Sequence, residues 1–230
     1  MALEAVADHT LWIWHAFFGM PGSCNDLNIL DNSPLVDEIF AGRFPPSLPY
    51  KLNGKTREKP YYLTDGIYPS WSIFVKSYKN PSTEEQKYFA LKQEGARKDV
   101  ERAFGVLQAK FQILARPSRL WKDSVMAVIM RCCIILHNMA VEFREGRKGS
   151  DPNLSSDPNL STVADDWRAA TGEIQMEGQL QGIDLDEIPS GSFLDQSLGT
   201  MRSVMDAEGH HNLRNDLVSH MWNIRGSRIA

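Results

Sequence analysis

The sequence predicts an α/β protein: strands in its first third, two long helices after them, then a polar acidic tail that ends in one more helix. Three observations predict it. Residues 2–7 and 11–18 are apolar stretches separated by Asp8-His9-Thr10, and Tyr61-Tyr62-Leu63 is a third run of strand formers that stops at Thr64-Asp65-Gly66. From about Thr83 to Leu114, and again from about Asp123 to Arg144, apolar residues recur at helical spacing. After Gly146 the composition shifts to Ser, Asp, Pro and Asn.

Taken in order, residues 2–7 form the first strand and 11–18 the second. LWIWHAFFG is apolar at nearly every position, the pattern of a strand buried on both faces. Trp12 and Trp14 alternate, so they face one side and pack under a helix. MPGSCND is a loop. NDLNILDNSPLVDEIFAG is a helix, or a helix broken at Pro34, with Asn25 or Asp26 as N-cap and Gly42 past its end. Residues 43–60 are Pro-rich and basic, a loop or short hairpin with Asn53-Gly54 at the tip. The strand ending at Asp65 follows, and WSIFVKSY supplies one more short strand. The helix from Thr83 to Leu114 carries one stripe of Phe89, Ala96, Val100, Phe104, Leu107, Phe111 and Leu114, with Ser82 or Thr83 as cap and Glu85 near N3. The next helix is buried through Val125, Ile129, Cys133, Leu136, Ala140 and Phe143. SDPNLSSDPNLS, residues 150–161, is a tandem hexapeptide read as linker, and the stretch to about residue 205 is polar, acidic and loosely ordered. The C-terminus recovers a helical stripe at Leu213, Leu217, Val218, Met221 and Trp222. The domain plan is 1–145, 146–205 and 206–230.

Composition bounds the function. With 230 residues, 42% hydrophobic and 10% aromatic, the chain has material for one good core and a tail. A net charge of −4 excludes a uniformly basic nucleic-acid binder. The charge is uneven, however: Lys87 to Lys122 holds nine Lys/Arg against three Asp/Glu, and Ser150 to Asp206 two against eleven. That asymmetry fits a basic working surface and an acidic tail. Cys24, Cys132 and Cys133, an odd count with an adjacent pair, argue for a reducing compartment rather than a disulfide framework. No apolar run reaches about 18 residues, so no membrane span is expected. Glu4, Asp8 and His9 do not fit a signal peptide.

The chemistry rests with carboxylates, and each has a bland reading beside the functional one. Asp65 is either Asp-Gly turn chemistry or a carboxylate held at the rim of a sheet. Glu101 lies at the edge of the helix stripe, either as a surface ion pair with Arg97 or Lys98 or as one of a pair of acids that a divalent cation would reconcile. Asp26 is either an N-cap or a ligand. Arg97, Lys98, Arg102 and Lys110 are either a solvated helix face or contacts to DNA phosphates. His137 reads as a hydrogen-bonded structural histidine, Cys132 and Cys133 as packing residues, and His210-His211 as a solvated helix start.

Four ordered motifs, GMPGSCNDLNIL, YYLTDGIYP, ARKDVERAFGVLQAKFQIL and CCIILHNMAVE, resemble the transposase-derived nucleases of the PIF/Harbinger group, the DDE-type endonucleases that include ALP1-like plant proteins. The similarity runs from about Ala2 to Glu145, and the LRNDLVSHMW tail also resembles the family. It implies a ribonuclease-H-like mixed sheet flanked by helices, and divalent-metal-dependent hydrolysis of DNA phosphodiesters with Mg²⁺ or Mn²⁺. By motif, Asp65 and Glu101 become catalytic residues, and Asp26, Asp65 and Glu101 the metal ligands. The chain has Gly66-Ile67-Tyr68 where the family pattern has Gly-Tyr. The family also carries a first catalytic Asp on a central strand upstream of the two seen here. The chain is therefore expected to be N-terminally truncated, to lack that strand, and to be impaired as a nuclease. The resemblance further implies a nuclear location, DNA as substrate and a Myb-like DNA-binding protein as partner, with no membrane. The alternative is a domesticated, non-catalytic protein that binds DNA or a chromatin partner.

Overall fold

The structure, a computed structural model, describes residues 1–116, 122–150 and 193–229. Its elements in chain order are β1 (Leu3–Ala7), β2 (Ile13–Phe18), α1 (Asp26–Asp31), α2 (Pro34–Phe40), β3 (Tyr50–Leu52), β4 (Lys55–Arg57), β5 (Tyr62–Thr64), β6 (Phe74–Lys76), α3 (Glu84–Arg97), α4 (Asp99–Lys110), α5 (Gln112–Ala115), α6 (Asp123–Ser150), α7 (Phe193–Val204) and α8 (Ala207–Ile229). This is a mixed α/β protein. Its described strands pair as three two-stranded sheets, β1–β2, β3–β4 and β5–β6. The described residues of Met1–Ser33 and Glu94–Asp166 form one compact unit, and those of Pro34–Gln93 and Trp167–Ala230 a second. The tandem hexapeptide beyond Ser150 and the acidic run up to residue 192 lie outside the described residues.

In the first unit, β1 and β2 pair antiparallel from Leu3–Phe18 to Ala7–Ile13, with a bulge between Val6 and Ala7. Asp8 organises the turn. Its Oδ1 accepts from Thr10 N at 2.8 Å, Thr10 Oγ1 at 2.6 Å and Trp12 N at 3.2 Å, and its Oδ2 from Trp14 Nε1 at 2.9 Å. These bonds hold Leu11 at φ +72°, a left-handed conformation that costs a leucine about 1 kcal/mol or more. Burial offsets the cost: Leu11 is 1% exposed and packs with Ile13 and Ala103. The expectation of a second strand buried on both faces is corrected. Within β2 only Ile13 is buried, and Trp14, expected under a helix, is 52% exposed.

The single helix expected from Thr83 to Leu114 is α3, α4 and α5. The ladder breaks at Lys98 (φ −65°, ψ −6°) and again at Phe111, whose φ −119° and ψ 92° are extended. Phe89, Ala96 and Leu107 of the expected stripe are buried, and Ala103 joins them at 0% exposure.

α6 buries a different face from the one its periodicity suggested. Met130, Cys133, His137 and Val141 are buried, whereas Val125, Leu136 and Phe143 are 40%, 52% and 67% exposed. The reason is polar. His137 Nε2 lies 2.7 Å from Leu11 O, and Asn138 clamps the β2 backbone by accepting from Ile13 N at 3.0 Å and donating to Ile13 O at 2.8 Å. His137 is thus a hydrogen-bonded structural histidine, as expected. Cys133 packs beside Leu107 and Met130, but Cys132 is exposed, which corrects its assignment as a packing residue. The expectation of no membrane-length segment also needs correction. Asp123–Arg144, with a mean hydropathy of 1.8 in its most apolar 18-residue window and 17% of that window buried, is long and apolar enough to cross a membrane. Arg131 interrupts the apolar run that the sequence reading sought.

In the second unit, β3 and β4 form the hairpin expected at Asn53-Gly54. Both tip residues have positive φ, +52° and +76°, as a two-residue primed turn requires. β5 and β6 pair in parallel, Tyr62 opposite Phe74 and Thr64 opposite Lys76. α8 buries Leu213, Leu217, Val218 and Met221 against Tyr50, Leu52, Val75 and Phe89, close to the stripe read from the sequence. Asp216 on α8 pairs with Arg57 at 2.5 Å, and Asn53 Nδ2 donates to Asp216 O at 2.7 Å, so the hairpin is fastened to the helix. α7 lies within the stretch read as linker, and Ser72 binds its end through Val204 O at 2.7 Å and Ser203 O at 2.8 Å. His210, read as part of a solvated helix start, is instead 1% exposed, with Nδ1 2.6 Å from Phe74 O.

Candidate functional site

Asp65 follows directly on β5. Gln93, fully buried on α3, donates from Nε2 to Thr64 O at 3.1 Å and to Val75 O at 3.0 Å, tying the end of β5 to β6. A buried amide that satisfies two strand carbonyls removes slack where the strand stops. Beyond it the chain turns: Gly66 N donates to Asp65 Oδ1 at 2.5 Å and Tyr68 N to Asp65 O at 3.3 Å. The turn reading of Asp65 is realised, and its side chain is exposed at the strand end.

Asp26 and Glu101 belong to the first unit. Asn25, not Asp26, caps α1, accepting from Asn28 N at 2.9 Å, and Asp26 is an exposed residue in the first turn. Glu101 is exposed on α4, with Oε1 3.4 Å from Arg97 Nη1. Asp65 lies in the second unit. Among the described residues no three His, Cys, Asp or Glu side chains gather as a metal ion would need.

The sequence reading missed Asp99. It is 5% exposed at the start of α4, with Oδ1 2.8 Å from Arg102 Nη1 but no donor aligned on that oxygen. Burial pushes its carboxyl up to about 6, Arg102 opposes the rise and Asp8 adds to it. The signal was available in Asp99 and Arg102, an i,i+3 pair at a helix start.

Of the four expected phosphate contacts, Arg97 at the end of α3 is thus engaged by Glu101 of α4, and Arg102 by Asp99 of its own helix. Lys98 and Lys110 are exposed. A second basic group was not read from the sequence. Lys76 at the end of β6 donates to Tyr68 O at 3.0 Å and Ser70 Oγ at 2.8 Å. The Lys79 side chain runs past Gly66, its Cε 3.9 Å from where a Cβ there would stand. Arg214 on α8 lies over the Tyr78 ring at 4.1 Å, within 3.1 Å of His211 Nδ1. Lys76 and Lys79 are near neighbours in sequence, but nothing local announces Arg214.

The architecture is that of a mixed α/β protein with small two-stranded sheets. The chain belongs to the plant transposon protein family, whose model matches residues 1–148. It is similar to a Protein ALP1-like of Arabidopsis thaliana, with 24% identity over 156 residues, 66% of this chain and 38% of that protein. The chain thus spans well under half the length of that relative. No solved structure matches it.

Proposed function

We propose that this chain is a transposase-derived protein of the DDE endonuclease kind that engages nuclear DNA and, as the 230-residue polypeptide, hydrolyses phosphodiesters weakly or not at all. The family match over residues 1–148, which takes in Asp26, Asp65 and Glu101, carries the reading. In a completed site these carboxylates would hold Mg²⁺ or Mn²⁺, with Asp65 and Glu101 catalytic. The proposal includes a ribonuclease-H-like sheet of which β1 and β2 form part, and sequence targeting supplied by a separate Myb-like DNA-binding protein. The test is nicking of supercoiled plasmid in Mg²⁺ or Mn²⁺, with slow or absent nicking expected. Efficient nicking that disappears in Glu101→Gln overturns the weak-activity half of the proposal and leaves the nuclease half standing.

One observation favours a second reading, a non-catalytic protein that binds DNA or a chromatin partner. α6 presents Val128, Ile135, Leu136 and Met139 at 52–59% exposure, an apolar side of the kind that partners cover. Tight DNA binding with no metal-dependent nicking, and calorimetric Mn²⁺ binding that is absent or unchanged by Asp65→Ala, would select it.

A further inference from the structure

We propose that Lys76, Lys79 and Arg214 form a phosphate-binding site for a nucleic-acid backbone beside the strand end that carries Asp65. The inference rests on the reading of this chain as a DNA-engaging protein. It extends that reading to a site outside the four motifs and, through Arg214, outside the residues that the family model matches.

Lys76 and Lys79, at and just after the end of β6, and Arg214 on α8 are brought to one region by the packing of α8 on β6, where Tyr78 joins the two. Tyr68 O and Ser70 Oγ fix the Lys76 ammonium, and stacking on Tyr78 fixes the Arg214 guanidinium. Tyr78 is itself held by its hydroxyl, 3.1 Å from Asn215 Oδ1 on α8. Among the described residues no ion pair neutralises Lys76, Lys79 or Arg214, and Arg214 Nε is buried without an acceptor. Burial lowers the Lys76 ammonium below the ordinary lysine range, and repulsion from Arg214 and Lys79 lowers it further. Folding therefore leaves a concentration of positive charge with no acid of its own, whereas Arg43, Arg57, Arg97 and Arg102 each have one.

An anion would relieve that repulsion. A phosphodiester suits the set better than a carboxylate, since it offers oxygens in several directions to two point-charge ammoniums and one planar fork. The same chemistry could come from free phosphate. An extended backbone is favoured because Lys79 is exposed and Lys76 and Arg214 are only half-buried, so the set is open to solvent rather than closed around a small anion.

The test is fluorescence anisotropy of a labelled duplex with the full chain in EDTA, across a salt series, so that neither metal nor cleavage enters. Lys79→Gln, an exposed change that leaves the fold alone, should lower the slope of log K against log salt by about 1, and Lys79→Gln with Arg214→Gln by about 2 with at least tenfold weaker binding. Arg43→Gln should change neither. Inorganic phosphate at matched ionic strength should not displace the duplex. Unchanged slope and affinity in the double variant overturns the site while leaving the DNA reading intact. Failure of the unaltered chain to bind duplex overturns that reading and this site with it. Displacement by millimolar phosphate at matched ionic strength overturns the backbone as the ligand.

Discussion

Two basic surfaces of this chain contrast in how they are built. On α3 and α4 the two arginines arrive with their acids: Arg97 faces Glu101 four residues on, and Arg102 faces Asp99 three residues back. Around β6 and α8 the cations arrive without them, and Lys76, Lys79 and Arg214 meet only because α8 packs on the β3–β6 region. The first surface is richer in the sequence, but its two arginines are already paired. The difference shows that a run of basic residues on a helix measures composition, while the charge left for a ligand depends on which acids lie one turn away.

The comparison can be broken most directly through the platform of the second surface. Gln93→Leu leaves the Thr64 and Val75 carbonyls without their donor, and we expect a loss of about 3 kcal/mol, read from the urea midpoint. An unchanged midpoint would mean that β5 and β6 hold the strand end without it. Next in size is Arg102→Gln, which leaves a buried carboxylate unpaired and should cost about 2 kcal/mol at pH 8. The sign with pH is fixed by Asp99. Its folded value of about 6 lies above its ordinary 3.8, so the stability that its proton contributes is fully present below about 3.8 and lost as pH rises through about 6. The Arg102→Gln penalty should therefore shrink at pH 5, and Asp99→Asn should flatten the pH dependence. A pH-independent penalty would exclude Asp99 as its source. Smaller again is Lys79→Gln, which relieves repulsion on the second surface and should raise stability by less than about 0.5 kcal/mol in low salt, with the gain vanishing in high salt. Smallest is Arg97→Gln, where an exposed partner and a 3.4 Å separation predict a stability change under about 0.5 kcal/mol and less than a threefold change in duplex affinity. A tenfold loss of affinity there would invert the ranking of the two surfaces.

Much of the fold was legible because some residues permit few structures. Asp8-His9-Thr10 marked the first hairpin, Asn53-Gly54 the second, and the Leu213–Met221 stripe placed α8 on its core. α6 was located correctly but rotated, and the cause is specific. It is apolar on nearly every side, so periodicity cannot select a face, and the hydrogen bonds of His137 and Asn138 to the first hairpin do so instead. The Thr83–Leu114 stripe concealed two breaks because its register continues across Lys98 and Phe111. At the candidate site, Asp65 was legible as a strand-end carboxylate because Thr64-Asp65-Gly66 both stops a strand and starts a turn. Asp99 was overshadowed by Glu101 two residues on, and the Lys76–Lys79–Arg214 group has no local signature, since more than 130 residues of sequence separate its members.

The Asp8 turn gives the first hairpin its own optical signal. Trp12 and Trp14 hold their rings 6.1 Å apart at 52°, and the exposed Trp14 indole is anchored to the Asp8 carboxylate. Two indoles at that separation and tilt couple as transition dipoles, so the pair contributes its own far-ultraviolet dichroism couplet, isolated as the difference between the chain and Trp14→Phe. Opening the hairpin should abolish that couplet, even while helix content stays unchanged.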